Sequence, residues 1–333
     1  MERRDRIRAI VAGEPVDRCG LWLGNPHVDT WPMLHEYFGT SAEEELRQML
    51  NDDIRWIPAG SYRHPDGKPM FDMQRKGEDH GAAGVFSGCE DVLEIEEFEW
   101  PNPDYLDFTE VLRRLRDAGD VYRASGFWCP FFHEVANFFG MENYFIKMHT
   151  HPEVIHTVTK HIVDFYLEAN ARFFDQAQDL VDALFFGNDF GSQLDLLISP
   201  ASFEEFVFPY FRQLTDLGHQ HGLQVILHSC GAIKKVIPNL IHLGVDALHP
   251  LQAKAVHMDA ETLAAEFKGK VAFIGAIDTQ DLLVNGTADQ VRQDVRRVKE
   301  LLGPNLVVSP SHEAVLPDVP PENLEAMAKE AIQ

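Results

Sequence analysis

The sequence predicts an α/β protein built as a single TIM-type (β/α)8 barrel over residues 1–333, with an N-terminal helical extension (1–19) and a loop or β insertion (62–104). Two observations carry this. From residue 121 onward, short apolar runs rich in β-branched and aromatic residues alternate with longer helical stretches, the pattern of parallel βαβ units with buried strands. An open doubly wound sheet, the competing architecture, calls for a Gly-rich phosphate loop after an early strand, and the sequence offers neither G-x-G-x-x-G nor a P-loop.

Taken in order, MERRDRIRAIVAGEPVDR starts as an amphipathic helix and breaks at Gly13 and Pro15. GLWLG (20–24) reads as an early strand. Residues 62–104 are rich in Gly, Pro and charge, with only short strand-like pieces, and read as an elaboration of the barrel, not a linker. VYRASGFW (121–128) precedes helical signals through 170, and ALFFGND (183–189) precedes a helix over 201–221. LQVILH (223–228) leads into a helix from Lys234 to Leu243, and VDALHP (245–250) into a short one near 259–267. KVAFIGAID (270–278) is followed by a helix near 287–302, and NLVVSPS (305–311) by one from Pro321. That makes seven strands, and DDIRWIP (52–58) supplies an eighth.

Composition narrows the function. With 29 Lys+Arg against 53 Asp+Glu the formal charge is −24, which repels phosphate backbones and anionic lipid headgroups, and there is no Lys/Arg cluster to make a local exception. Nucleic acid and membrane surfaces are therefore excluded as partners, and a small-molecule substrate is expected. The four cysteines, Cys19, Cys89, Cys129 and Cys230, are too scattered for a disulfide frame and read as reduced thiols. The absence of a signal-peptide apolar run and of any stretch near the ~20 apolar residues of a membrane span leads to the expectation of a cytoplasmic protein. A homodimer is the expected assembly.

In a barrel of this kind, active sites form where strands pass into their following loops. The predicted strand ends are polar: Asn188 and Asp189, then His228-Ser229-Cys230, His249, Asp278, and Ser311-His312-Glu313. One such residue is ordinarily a cap or a hydrogen-bonding group; five strands ending this way point to a site. His228 and Cys230, at i and i+2 on an extended segment, face the same side, so an imidazole and a thiolate can close on one ion. H-x-C also arises by chance, and a cysteine is often a small core residue. With His312 as third ligand the set His228, Cys230 and His312 would hold Zn2+ and leave one position open, the catalytic arrangement. His249 reads as a fourth ligand, a general base or a plain hydrogen-bonding histidine.

Asp53, in NDDIRWI, is either a helix cap or surface charge, or a barrel-mouth carboxylate acting as base or substrate ligand. Asn188 is a candidate for orienting substrate, with Trp128, Asp189 and Asp278 as candidate substrate-binding residues. Asp189 equally reads as capping the turn at Gly191, and Phe127, Trp128, Phe131 and Phe132 read as core or as pocket lining.

The segments RDRIRAIVAGEPVDR (4–18), FGNDFGSQLDLLISPASFEEFVFPYFRQL (186–214), LHSCGAIKKVIPNLIHLGVDALHPLQ (227–252), FIGAIDTQDLL (273–283) and SPSHEAVLPDVPPENLEAM (309–327) together resemble the uroporphyrinogen decarboxylase superfamily. The H-x-C-G element resembles its zinc-dependent methyltransferases, which move methyl groups between corrinoid proteins and thiols such as coenzyme M. The resemblance implies a TIM-type barrel with its pocket at the C-terminal mouth, His228 and Cys230 as zinc ligands, and a corrinoid protein as partner. The decarboxylase branch carries an Arg-rich loop after the first strand that grips an eight-carboxylate tetrapyrrole. Here GLWLGNPHVDTWPMLHEY (20–37) contains no arginine, and binding such a polyanion would leave several carboxylates desolvated and unpaired. Asp53 falls near the pyrrole-binding aspartate of that branch. Where the methyltransferases usually place a cysteine in an S-P-G-C-like segment, this chain has Ser309-Pro310-Ser311-His312. Zn2+ with one thiolate keeps a net positive charge, which makes a bound thiolate a weaker nucleophile and admits hydroxyl, amine or carboxyl acceptors.

The leading expectation is thus a zinc-dependent methyltransferase acting on a small acceptor. A metal-independent decarboxylase using Asp53, and a barrel that binds a ligand without chemistry, are the alternatives.

Overall fold

The computed structural model describes every residue except Lys76 and His80, both within 62–104, so the insertion reading at those two lies outside the described residues. Eight parallel strands form a nearly closed barrel surrounded by helices: β1 Gly20–Leu21, β2 Ile54–Pro58, β3 Tyr122–Gly126, β4 Ala183–Gly187, β5 Gln224–His228, β6 Ala247–His249, β7 Ala272–Ile277 and β8 Leu306–Pro310. They hydrogen-bond in the order β1-β8-β7-β6-β5-β4-β3-β2, so neighbours in space are neighbours in sequence except where β1 meets β8. All eight coincide with runs identified in the sequence.

The period-two alternation of each strand divides its side chains between two cores. Facing inward, Trp22, Ile54, Tyr122, Ala124, Phe185, Ile226, Ile274 and Val307 fill the barrel interior. Facing outward, Ile57, Leu184, Phe186, Leu227, Phe273 and Val308 join the larger layer beneath the helices. The N-terminal helix Arg3–Val11 sends Ile7, Ile10 and Val11 into the inner core, so it closes the floor of the barrel. Several helices start where local chemistry satisfies their free N–H groups. Thr287 and Gln290 form a reciprocal capping box for Ala288–Leu302, and Asp259 accepts from Thr262 N–H at the start of Ala260–Phe267. Within 62–104, Ser61–Tyr62 at its edge pairs antiparallel with Leu106–Asp107, and the short helix Val92–Glu96 packs on the long helix Pro152–Ala177.

The seam between β1 and β2 rests on one residue. Asp53 N–H donates to Leu21 C=O at 2.9 Å, and the Asp53 carboxylate accepts from Leu21 N–H at 2.9 Å. The same carboxylate takes Arg18 at 2.8 and 2.9 Å and Arg6 at 3.1 Å, with its side chain wholly buried. Asp53 therefore lies at the N-terminal end of β2, about 16 Å of strand from the mouth. The expectation of Asp53 as a mouth carboxylate is corrected: its oxygens are consumed by two guanidiniums and the seam. Replacing it leaves buried charges unpaired, so Asp53→Ala is expected to lose about 3–5 kcal/mol in urea unfolding. Asp53→Asn, by retaining a partner for Leu21 N–H, should lose less.

Candidate functional site

Strand parity and register build the site. His228 and His249 are the last residues of β5 and β6 and are Cα partners across that pair, so both imidazoles enter the barrel at the same level. Their Nδ1 atoms lie 2.9 Å apart. On the other edge of the His228 ring, Nε2 is 3.3 Å from Cys230 Sγ and 3.4 Å from Asp189 Oδ1. Asp189 is held in place by Cys230 N–H, which donates to Oδ1 at 2.8 Å. Glu313 brings Oε2 to 3.4 Å from His228 Nδ1.

These distances separate two kinds of grouping. Asp189, His228 and Cys230 form one set whose donor atoms lie within 4.8 Å of one another; His228, His249 and Glu313 form a second. Around a tetrahedral zinc with bonds of ~2.0–2.3 Å, adjacent donors stand roughly 3.3–3.6 Å apart. The contacts of His228 Nε2 with Cys230 and Asp189 match that spacing. The Nδ1–Nδ1 contact of 2.9 Å is shorter and is a hydrogen bond between the two rings. The second set is thus the support of the first: with Nε2 turned to the thiol and carboxylate, Nδ1–H of His228 donates to His249 Nδ1 and fixes the ring, with Glu313 Oε2 beside the same edge at 3.4 Å. His249 Nε2 and Glu313 Oε2 are buried without a hydrogen-bond partner among the described residues, which marks this as a site and not a finished piece of core.

Electrostatics agree with a cation site. Burial opposes ionisation of Asp189, but the His228 imidazole and the Cys230 backbone N–H outweigh it and hold the carboxyl down at about 2. Burial, followed by the carboxylates of Asp189 and Glu313, pushes the Cys230 thiol up, so it becomes a thiolate only when a cation arrives. His249 is lowered by burial and by the neighbouring His228 and His312, which keeps it neutral.

The other candidates fall in different places. His312 belongs to neither grouping. Its Nδ1 accepts from Ala314 N–H at 3.1 Å, its ring centroid is 6.1 Å from that of His228, and its side chain is 39% exposed on the rim. Trp128 stands over His228 with centroids 5.0 Å apart, wedged between Trp56 and Phe185. A Cβ on Gly187 would lie 2.1 Å from that indole, which is why β4 ends in glycine. Asn188 is not free to orient a ligand: Oδ1 accepts from Phe132 N–H and Nδ2 donates to Cys129 C=O, so it shapes the turn that presents Trp128. Asp278 likewise spends its oxygens on the backbone N–H groups of Gln280 and Leu282. Phe127, Phe131 and Phe132 are core.

Glu313, expected only as one of the polar residues at the end of the last strand, takes a supporting role that the sequence reading did not assign to it. The chain holds it by pairing Ala314–Val315 with Asn25–Pro26, where Gly24, at φ +76°, has no room for a Cβ against Glu313 C=O. Beside this site a pocket of about 480 Å3 opens between the loops after β6, β7 and β8, with His312 in its wall.

A parallel barrel with a His–Cys–Asp cluster at its C-terminal mouth defines the class, an α/β barrel with a candidate metal centre. Residues 91–333 match the uroporphyrinogen decarboxylase (URO-D) family, and the chain belongs to it. No curated protein matches the sequence. Among solved structures, a methyltransferase from Methanosarcina mazei is similar over 99% of this chain and 98% of its own, with a TM-score of 0.72 and 15% identity, a likeness of fold. No helix among the described residues is long and apolar enough to cross a membrane.

Two outcomes follow from the geometry. Zinc retained after dialysis should fall at least about tenfold in Cys230→Ser and far less in His312→Ala, measured by elemental analysis. Beneath the Trp128 turn, burial raises the Glu134 carboxyl to about 8, although it accepts from the Tyr166 hydroxyl at 2.6 Å. The folded state keeps a proton that the unfolded chain releases near 4.5, so stability falls as pH rises from there to about 8 and is level above. Glu134→Gln should remove that slope and gain on the order of 4 kcal/mol at pH 9 relative to pH 5, read from urea midpoints.

Proposed function

We propose that this protein is a zinc-dependent methyltransferase that moves a methyl group between a corrinoid, carried by a partner protein in the cytoplasm, and a small acceptor at the metal. The observation that carries the reading is the spacing of Asp189 Oδ1, His228 Nε2 and Cys230 Sγ, which suits three ligands of one ion, with a pocket close by that would admit an acceptor. This replaces His312 by Asp189 in the expected ligand set and leaves His312 on the rim, where its Nε2 can meet the acceptor. Zinc bound there supplies Lewis acidity that favours the deprotonated form of a coordinated thiol, hydroxyl or amine.

The remaining work falls to the chain's own residues. His228 is oriented by the hydrogen bond between its Nδ1 and that of His249, so the ligand atom cannot rotate away. Trp128, Trp56 and Phe185 form an apolar wall along His228 and keep water from that side. Glu313 Oε2, without a hydrogen-bond partner, can take up the acceptor's proton. The test is methyl transfer from methylcobalamin to small thiols, alcohols and amines, followed by the visible spectrum of the corrinoid. Turnover should vanish on chelation, return with zinc, and drop at least about 10^2-fold in His228→Ala. Zinc-free protein as active as the loaded form would overturn the reading.

A further inference from the structure

We infer that the pocket at the mouth selects a small amphipathic acceptor that carries no anionic group, and favours one that is cationic. This rests on the proposed function for the site but concerns a different property, the charge of the ligand. The three residues following each of the eight strands include Asp189, Asp278 and Glu313 and contain neither Lys nor Arg. Of the cations nearest in the chain to these segments, Lys254 is engaged by Asp278 at 3.5 Å and Asp281 at 3.9 Å, and Arg63 by Asp107 at 3.0 Å.

The arginines instead gather at the opposite end. Arg6 and Arg18 bind Asp53, Arg4 and Arg8 bind Asp182, and Arg47 binds Asp52, all at the N-terminal ends of strands. These five guanidiniums share the three buried carboxylates, with Asp17 and Glu43 as further partners of Arg6 and Arg47, so their charge is paired at that end of the barrel. A divalent ion does not reverse the balance: its two charges are cancelled by the Cys230 thiolate and the Asp189 carboxylate, and Glu313 remains. Glu313 Oε2 is buried with no hydrogen-bond partner and is suited to accept from an N–H or O–H of a ligand. An anionic ligand in the pocket would meet Asp318 in its wall, with Glu313 next to the lining residue His312, and would find no Lys or Arg among the lining residues.

The pocket supplies the second half of the specificity. Val284, Leu316 and Val319 give it an apolar wall, while Gln280, His312 and exposed Asp318 supply polar contacts. An acceptor with a short apolar body and an amine or hydroxyl fits both surfaces; a carboxylate or sulfonate of the same size does not.

The experiment is calorimetric titration of the purified protein, with and without added zinc, using 2-aminoethanethiol, 2-mercaptoethanol and 2-mercaptoethanesulfonate. The three probes share a thiol and differ in charge. The aminothiol and the neutral thiol should bind at least about tenfold more tightly than the sulfonate at low salt, with the gap narrowing as ionic strength rises. Gln280→Lys and Asp318→Lys, which add a cation to the pocket wall, should each narrow that gap as well. Sulfonate binding as tight as that of the aminothiol, or no binding of any probe in either condition, overturns the inference. Zinc content of the same preparation reports on the metal separately: discrimination among probes by a protein that takes up no zinc would keep this inference and remove the methyltransferase reading.

Discussion

A parallel sheet of eight strands becomes a barrel only if its two end strands are joined, and here that join is made by the backbone and side chain of Asp53. A buried carboxylate is costly unless fully paired, and the two arginines that pair it come from the N-terminal helix and the segment just before β1. Closing the seam therefore also fixes the floor. Everything at the mouth inherits this closure, because side-chain parity sends His228 and His249 inward only while the cylinder is intact.

The molecule separates two jobs along the barrel axis. At the N-terminal end, carboxylates and guanidiniums neutralise each other and serve stability. At the C-terminal end, carboxylates, imidazoles and a thiol are left incompletely paired, a state that persists only because the surrounding strands hold it. The overall charge of −24 is thus unevenly expressed.

The strands and their order were legible because burial on both faces leaves runs such as ALFFG and LQVIL that few other structures tolerate. His228 and Cys230 were legible because i, i+2 spacing on an extended segment is a geometric statement. What the sequence could not convey is which end of a strand a neighbouring aspartate occupies: Asp53 precedes β2, and its partners Arg6 and Arg18 lie 47 and 35 residues away. Nor does proximity in sequence between His312 and Glu313 say which side chain turns inward. That is decided by the two-residue pairing with Asn25–Pro26 and the close approach at Gly24. Asn188 and Asp278 show a third limit, since polar residues at strand ends are consumed by the turns they shape.

The helix Arg3–Val11 gives the barrel one open end. A molecule that enters the mouth leaves by the same door, so all ligands share a single vestibule. Two bulky reactants cannot occupy it together unless one is thin enough to sit beneath the other. Traffic through such a dead-end chamber runs in turns, and the order in which visitors depart becomes a property of the rim.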